Sequence, residues 1–405
     1  MVLSKLEVGD VRRALVACVV AVGCCWTGGT AWADGPGVGT PTIVALGDSA
    51  ISGEAGRWAG NTNDSSAKVD ALGPYAYWDT ATGEAIPGCH RSQSAEVRIG
   101  GGVASKNLAC SGARTATSAG GSDFKPGIDF YSDASGRVGQ ALALQRYAPD
   151  HNVTAVTLLI GANNYGFADI VQACVTDWLT SPSWWPNYCN DDSDIASRFT
   201  ATRIAAETAN VAGAMRNVRA AMRTAGYADT AWTLLVQTYS SPIPRGAGFR
   251  YPQTGWARQS IGGCGVWNRD ADWANDTVVR TFNTTLRNAA TQSGLANIRI
   301  VDMQNALVGR RLCENTVGLL EEKGVASWTS PGAVDKTEWV SQIRTVTAIL
   351  PPYQIQEDGH PSYWGQLALR NCLRQAYNGG TPHGGTCTHN ATGLDSLGEP
   401  NMALT

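Results

Sequence analysis

Three features are missing from this sequence, and each absence disfavours a class of protein. No C-x-x-C pair occurs among the 11 cysteines, so a zinc ribbon or a thioredoxin-like site has little support. Lysine and arginine form no block and the net charge is −3, so the chain shows no electrostatic footprint for nucleic acid. No G-x-S-x-G motif is present, which disfavours the nucleophile elbow of the α/β-hydrolases.

The first 33 residues have the pattern of a secretory signal peptide. A basic start precedes an apolar stretch of roughly 15 residues, shorter than the ~20 that a membrane span needs. Ala31-Trp32-Ala33 then offers an A-x-A cleavage site, while a lipoprotein box ending at Cys18 and a twin-arginine signal at Arg12-Arg13 are the alternatives. We therefore expect cleavage near Ala33 and a secreted protein. Because no low-complexity linker divides residues 34–405, we expect them to form a single domain with insertions.

The cysteines agree with export. Three of the 11 leave with the signal, and the remaining eight are an even number, as in disulfide-bonded exported proteins. Pairing in sequence order would close four local loops, because a turn-rich, polar segment separates the members of each pair; buried free thiols are the alternative. The expected pairs are Cys89–Cys110, Cys174–Cys189, Cys264–Cys313 and Cys372–Cys387.

Four short apolar runs are typical of buried strands. They are too short for helices, and Gly, Pro, Asn or Asp bounds each of them. Their near-continuous apolarity indicates burial on both faces, as in a parallel sheet. Helical patterns alternate with them, which predicts a doubly wound α/β fold with sites at the carboxyl ends of the strands. The strand candidates are 41–47, 154–161, 231–239 and 298–303, and the helix candidates are 193–226, 271–294 and 363–380.

Four long segments lack a clear period, and we expect them to be irregular binding loops or lids. They are 55–135, 165–193, 240–270 and 304–350. The second contains Trp184 and Trp185, which can face lipid, stack on a sugar ring or pack inward.

Ser49 stands directly after the first strand candidate, in "IVALGDSAISGEAG". The small residues around it allow a sharp turn that projects the hydroxyl and presents the Ser49 amide to a reacting carbonyl. A serine nucleophile needs an adjacent base, a group that orients the base, and donors for the oxyanion. The stretch alone is equally compatible with a structural turn.

Other segments offer the missing parts. Gly112 in "NLACSGA" can supply a backbone amide, and Asn163 in "GANN" ends a strand candidate where its side chain can donate to the same oxygen. Of the five histidines, His360 in "QEDGHPSYWGQ" precedes a helix candidate and follows two acids. Glu357, Asp358 or a backbone carbonyl can orient its ring.

The order "GDS", "NLACSGA", "GANN" and "HP" resembles the four sequence blocks of the SGNH, or GDSL-type, hydrolases. With "GDSxxSGEAG" and "CHRS" at 89–92, the chain is similar to the secreted lipase and esterase branch of that family, over about residues 47 to 366. The resemblance implies a three-layer α/β/α flavodoxin-like fold around a central parallel sheet, with the long loops closed by disulfides. It also implies ester hydrolysis without cofactor or metal.

The resemblance assigns Ser49 as nucleophile, His360 as base, and Gly112, Asn163 and the Ser49 amide as the oxyanion hole. Where the family commonly has an Asp three residues before the histidine, this chain has Glu357, which we take as the orienting acid with the alternatives above still open. We expect a monomeric lipase or esterase acting on small-molecule or lipid esters through an acyl-enzyme. A polysaccharide deacetylase acting on an acylated glycan, an acyltransferase and a binding protein without activity are the alternatives.

Overall fold

A computed structural model describes residues 34–120, 123–344 and 352–405. The predicted signal peptide lies outside these ranges, so the division of the chain near Ala33 stays a prediction. No helix within the described ranges is long and apolar enough to cross a bilayer.

Seven strands form one sheet in the described residues. Its order is β2-β1-β3-β4-β5-β6-β7, in which the first five strands follow the flavodoxin order 2-1-3-4-5. Neighbours from β2 to β6 are parallel, and only the β6–β7 hairpin at one edge is antiparallel. The strands are β1 (Pro41–Gly47), β2 (Ala104–Asn107), β3 (Asn152–Leu159), β4 (Thr233–Gln237), β5 (Ile298–Asp302), β6 (Gly385–Leu394) and β7 (Pro400–Leu404).

Helices cover the sheet on both faces. Ile43, Val44, Ala45 and Leu46 of β1 are all fully buried, and successive side chains of a strand point to opposite faces. The helices are α1 (Ser49–Ser52), α2 (Gln140–Tyr147), α3 (Phe167–Thr180), α4 (Ser193–Ala196), α5 (Ala201–Thr224), α6 (Ala257–Ser260), α7 (Asn268–Trp273), α8 (Arg280–Ser293), α9 (Ala333–Lys336) and α10 (Tyr363–Tyr377). α5 packs on α2 and α8, whereas α10 packs on the β6–β7 hairpin. The predicted α/β fold with a central parallel sheet is confirmed, apart from the antiparallel edge.

All four strand candidates are strands, and all three helix candidates are helical. The first helix candidate is interrupted at Ser197–Phe199, where a 3-10 turn separates α4 from α5. The second is continuous only through a π-helical segment, Ala274–Val279, between α7 and α8. The expectation of an irregular segment at 165–193 is wrong in its first half, because α3 occupies it.

The four disulfides join the cysteines in sequence order, as predicted: Cys89–Cys110, Cys174–Cys189, Cys264–Cys313 and Cys372–Cys387. Two of them join irregular segments, one ties a loop to a helix, and one joins a helix to a strand. Cys174 lies on α3 and Cys189 follows the Trp184-Trp185 loop, while Cys372 on α10 is bonded to Cys387 of β6. The first disulfide joins two loops that reach the candidate site described below.

Candidate active site

The ends of β1 and β3 bring Ser49 and Asn163 to the same edge of the sheet. Gly47 pairs with Leu159 in the parallel register, and the Asp48 N–H donates to the Leu159 carbonyl at 3.1 Å. Ser49 then begins α1, and Asn163 lies four residues beyond the end of β3. Parallel strands end at one edge, so both residues share it with the end of β4.

Gly47 makes the turn before Ser49 possible. Its φ of 145° disfavours any residue with a side chain, and a Cβ at this position would collide with the Leu159 carbonyl. The side chain of Gln140 on α2 fixes the turn from both sides, because it accepts from the Gly47 N–H at 2.7 Å and donates to the Gly47 carbonyl at 2.8 Å.

The structure brings Ser49 and His360 together from positions 311 residues apart. The His360 Nε2 lies 2.6 Å from the Ser49 Oγ, and its Nδ1 lies 3.0 Å from the main-chain carbonyl of Asp358. Because a carbonyl can only accept, Nδ1 carries the proton and Nε2 is free to accept from the serine hydroxyl.

Ser341 holds the loop that carries His360. The Gly359 N–H donates to the Ser341 carbonyl at 3.1 Å, and the Ser341 N–H donates to the His360 carbonyl at 2.9 Å. Ser362 then occupies the N-cap position of α10, without a capping hydrogen bond from its side chain. Main-chain hydrogen bonds to Gly359 and His360 therefore fix the backbone that carries the histidine.

Glu357 does not contact the His360 ring, which corrects its assignment as the orienting acid. Its carboxylate is fully buried elsewhere, where it accepts from the Tyr77 hydroxyl at 2.7 Å and from the Gln354 N–H at 3.0 Å. The Asp358 carboxylate accepts from the Arg344 N–H at 2.8 Å instead. Of the three alternatives, the main-chain carbonyl at Asp358 occupies the orienting position.

The two further oxyanion candidates lie at the same edge. The Asn163 side chain lines the cavity beside Ser49, and one of its two N–H groups donates to the Ala113 carbonyl at 3.0 Å, directly after Gly112. Gly112 is exposed at a φ of 78°. Within the described ranges its amide donates no hydrogen bond, so it is available to a ligand.

No family model and no curated protein matches the sequence. Solved structures that resemble the chain include an extracellular lipase from Streptomyces rimosus, at 18% identity and a TM-score of 0.44, with 83% of this chain and 99% of that chain covered. A phospholipase A1 from Streptomyces albidoflavus matches at 18% identity and a TM-score of 0.43, with the same coverage. A family two carbohydrate esterase from Clostridium thermocellum matches at 12% identity and a TM-score of 0.33, covering 84% of this chain and 63% of that chain.

A small apolar cavity of about 60 Å³ lies against Ser49, Asn163 and His360. Aromatic and aliphatic side chains make up most of its wall, so it suits an apolar group attached to a carbonyl carbon. Its apolar lining includes Leu159, Phe167, Tyr239, Val279, Phe282 and Met303.

Trp184 and Trp185 are 81% and 74% exposed. Their rings meet edge to face at 6.4 Å, on the loop clipped by Cys174 and Cys189. The alternative of inward packing is therefore wrong, whereas contact with lipid or with a sugar ring is compatible with this exposure.

Asp48, next to Ser49 in the chain, forms a buried pair with Tyr239. Asp48 accepts a hydrogen bond from the Tyr239 hydroxyl, and the same hydroxyl accepts from the Ala162 N–H at 3.0 Å. Burial raises the pKa of Asp48 to about 7, although the hydrogen bond from Tyr239 opposes the rise. Tyr239 thus ties the serine turn to the loop that carries Asn163.

Burial also lowers the pKa of His360, and the negative charge of Glu54 and the Asp358 carbonyl oppose that effect only in part. A histidine with a lowered pKa is neutral at pH 7 and can accept a proton. Within residues 34–120, 123–344 and 352–405, no group of three or more His, Cys, Asp or Glu side chains is arranged to hold a metal ion.

Sequence reasoning missed three supporting residues. Gln140 and Tyr239 gave no signal, because a polar side chain on an unrecognised helix or at a strand end has many ordinary uses. Asn164 stands beside Asn163 in "GANN", and its side chain accepts from the Thr115 N–H at 3.0 Å, which fixes the loop after Gly112.

The buried Asp48 should make stability depend on pH in a definite direction. Its folded pKa of about 7 lies above the ordinary 3.8, so the folded state retains a proton that the unfolded state loses. Its contribution to the unfolding free energy therefore falls as the pH rises from about 4 to about 7. We expect the stability advantage of wild type over Asp48→Asn to shrink between pH 5 and pH 8 in urea unfolding.

Asp150→Asn, at an exposed position, is the matched control for this measurement. A difference between wild type and Asp48→Asn that stays constant over the same pH range would contradict the assignment of a raised pKa.

Proposed function

We propose that the protein is a serine ester hydrolase that cleaves carboxylic esters through an acyl-enzyme on Ser49. The observation that carries this proposal is the contact between the His360 Nε2 and the Ser49 Oγ at 2.6 Å, with Nδ1 on the Asp358 carbonyl at 3.0 Å. This arrangement supplies a nucleophile, a base in the required tautomer and a group that orients the base.

In the first half-reaction, the Ser49 hydroxyl attacks the ester carbonyl carbon while His360 Nε2 takes its proton. The carbonyl oxygen becomes an oxyanion, which the amides of Ser49 and Gly112 and the free N–H of Asn163 are available to bind. His360 then gives the proton to the alcohol oxygen, the C–O bond breaks and the alcohol leaves.

Water completes the cycle. His360 takes a proton from water as the oxygen attacks the acyl carbon, and the collapse of the second tetrahedral intermediate returns that proton to the Ser49 oxygen. The products are a carboxylic acid and free enzyme. An alcohol acceptor in place of water would make the same site an acyltransferase.

We also infer that the protein acts outside the cell. Four disulfides join all eight cysteines of residues 34–405, and such bonds persist in oxidising compartments. The predicted signal peptide agrees with this location.

Ser49→Ala should abolish hydrolysis of short p-nitrophenyl esters and labelling by a fluorophosphonate, because Ser49 carries the hydroxyl that contacts the His360 Nε2. Activity assays and intact-mass measurement of the labelled protein check this expectation. Ser65→Ala, at an exposed position, is the control that should keep both. Unchanged turnover by Ser49→Ala would contradict the assignment of Ser49 as the nucleophile.

Asp358→Asn should keep hydrolysis within about threefold of wild type, because the contact with His360 uses the main chain. Removal of a side-chain acid from a triad lowers kcat by about 10⁴. A steady-state assay of kcat therefore distinguishes orientation by the main chain from orientation by a side-chain acid. A hundredfold or greater loss of kcat in Asp358→Asn, with the melting temperature unchanged, would indicate that the Asp358 side chain orients His360.

A short acyl ester of a polar alcohol, such as an acetylated glycan, is the second candidate substrate. The cavity beside Ser49 has room for a small acyl group, and a wider, polar cavity of about 490 Å³ shares Val279 with it. The exposed Trp184 and Trp185 offer stacking faces for sugar rings.

A panel of p-nitrophenyl esters from acetate to palmitate separates a lipase acting on long acyl chains from an esterase acting on acetylated glycans. Acetylated xylan and phosphatidylcholine vesicles are assayed beside it. We expect the highest kcat/KM at two to four acyl carbons. A maximum at long chains would favour the lipase.

A further inference from the structure

Two sequence motifs, "SGEAG" and "CHRS", have no part in the mechanism above. Glu54 of the first motif and His90 of the second meet in the interior, where the His90 Nδ1 lies 2.6 Å from the Glu54 Oε1. The exposed fractions are 0% for Glu54 and 3% for His90. Burying two charges costs desolvation free energy unless good geometry and further hydrogen bonds offset it. A buried pair connected to the catalytic pair is therefore a candidate for a functional role.

Glu54 is connected to the nucleophile through the main chain. Its N–H donates to the Ser49 carbonyl at 3.1 Å, at the turn that ends α1. The side chain then turns away from solvent toward His90. Any shift of Glu54 therefore acts directly on the turn that carries Ser49.

His90 is connected to the histidine loop through two side chains. Its ring stacks on Tyr77, with centroids 4.4 Å apart and planes at 15°. The Tyr77 hydroxyl donates to the Glu357 carboxylate at 2.7 Å, and the His360 N–H donates to the Glu357 carbonyl at 3.3 Å. A continuous set of contacts thus runs from Ser49 to His360 behind the reacting atoms.

The His90 loop is itself fixed. His90 has a φ of 48°, and its N–H donates to Glu84 at 3.0 Å. The adjacent Cys89 is bonded to Cys110, and the Cys89 carbonyl accepts from the Ser111 N–H at 3.1 Å. The same loop therefore supports the segment that presents Gly112.

The catalytic histidine needs a negative charge that its orienting group does not carry. A carbonyl is a dipole without net charge, whereas the imidazolium formed during acyl transfer is a full cation. Burial raises the pKa of Glu357, and it raises the pKa of Asp358 to about 8. Burial also opposes the ionisation of Glu54, but its hydrogen bond to His90 and the charges of His90 and His360 lower its pKa overall.

His90 keeps Glu54 ionised, but the positive charge of His90 cancels part of the effect of Glu54 on His360. Burial disfavours the charged form of His90, but the hydrogen bond and charge of Glu54 outweigh it and raise the pKa of His90. The negative charge of Glu54 acts on His360 more strongly than the positive charge of His90 does. The pair therefore leaves a net negative field at the catalytic ring.

We propose that Glu54, held by His90, is the positioning residue of the Ser49–His360 pair and supplies the negative charge that a triad acid supplies elsewhere. This inference rests on the proposed function. Its chemistry adds no step, since Glu54 neither gains nor loses a proton during the reaction.

Several other charged or titratable groups surround His360, and the test must separate Glu54 from them. Glu357 and Asp358 lie on the loop of His360, and Arg344 packs against that loop. Tyr77, His90 and Glu84 come from neighbouring loops. Asp48 and Tyr239 lie next to Ser49.

The test is the pH dependence of the rate at which a fluorophosphonate labels the protein. Its acidic limb reports the pKa of His360, because only the neutral ring accepts the serine proton. Glu54→Gln removes a negative charge and, because His90 then loses its partner, also the weaker opposing charge of His90. The net loss is of negative charge at His360, so we expect the limb to move to lower pH by roughly half a unit. The plateau rate should fall about tenfold, because the imidazolium loses its stabilising charge.

Two variants separate charge from packing. Glu54→Asp keeps the charge, and its limb should stay near that of wild type. Glu96→Gln is the matched control: Glu96 is another buried carboxyl, but burial raises its pKa to about 8, so the substitution removes no charge at neutral pH and should not move the limb.

Tyr77→Phe tests the connection between the loops independently of Glu54. It keeps the stack on His90 but removes the hydrogen bond to Glu357, so labelling should slow by roughly 2- to 10-fold at every pH, with the limb unmoved. This variant decides the positioning role even if Glu54→Gln does not fold.

Each outcome supports or overturns a definite statement. An unmoved limb in a folded Glu54→Gln protein, or a wild-type rate in Tyr77→Phe, would overturn this inference alone. Absence of labelling in wild type, or labelling retained in Ser49→Ala, would overturn the proposed function instead.

Discussion

The parallel pairing of β1 with β3 is the constraint on which the candidate site depends. It fixes Gly47 beside Leu159, so the serine turn and the Asn163 loop leave the sheet at adjacent points. Only a residue without a side chain fits between them, and the Gln140 side chain then closes the turn. Gly112 reaches this edge from an insertion that the Cys89–Cys110 disulfide holds in place, and His360 reaches it from the loop before α10. The sheet therefore provides the position, and the loops provide the chemistry.

A main-chain carbonyl at the histidine changes how the charge of the site is distributed. In a triad, one carboxylate both orients the imidazole and stabilises its protonated form. Here the Asp358 carbonyl lies at the orienting position, while Glu54, a carboxylate whose pKa is lowered, acts on His360 through its charge and is paired with His90. Orientation and charge are thus separate tasks for separate segments. The separation also explains why two acids can precede His360 in sequence without either touching its ring.

The central strands and the meeting of Ser49 with His360 were predictable, because continuous apolar runs mark β1, β3, β4 and β5 and small residues mark the turn at Ser49. The edge strand β2, "ASKN", is polar and half-exposed, so it carries no such mark, and β6 is similar. The helix α3 was missed because it begins directly after Gly166 and runs into the loop with Trp184 and Trp185, so its period did not stand out. Glu357 was misassigned since a spacing in sequence does not tell whether a backbone oxygen lies nearer. The Glu54–His90 pair joins residues 36 apart, which no local pattern records.

The Cys89–Cys110 bond has a consequence for when the site is complete. It joins the loop of His90 to the segment that presents Gly112, so one oxidation event ties together the buried charge pair and the proposed oxyanion donor. If the proposed activity holds, a chain still inside a reducing cytoplasm has an incompletely assembled site. Covalent maturation would then act as a safeguard, protecting the esters of the producing cell until the enzyme has left it.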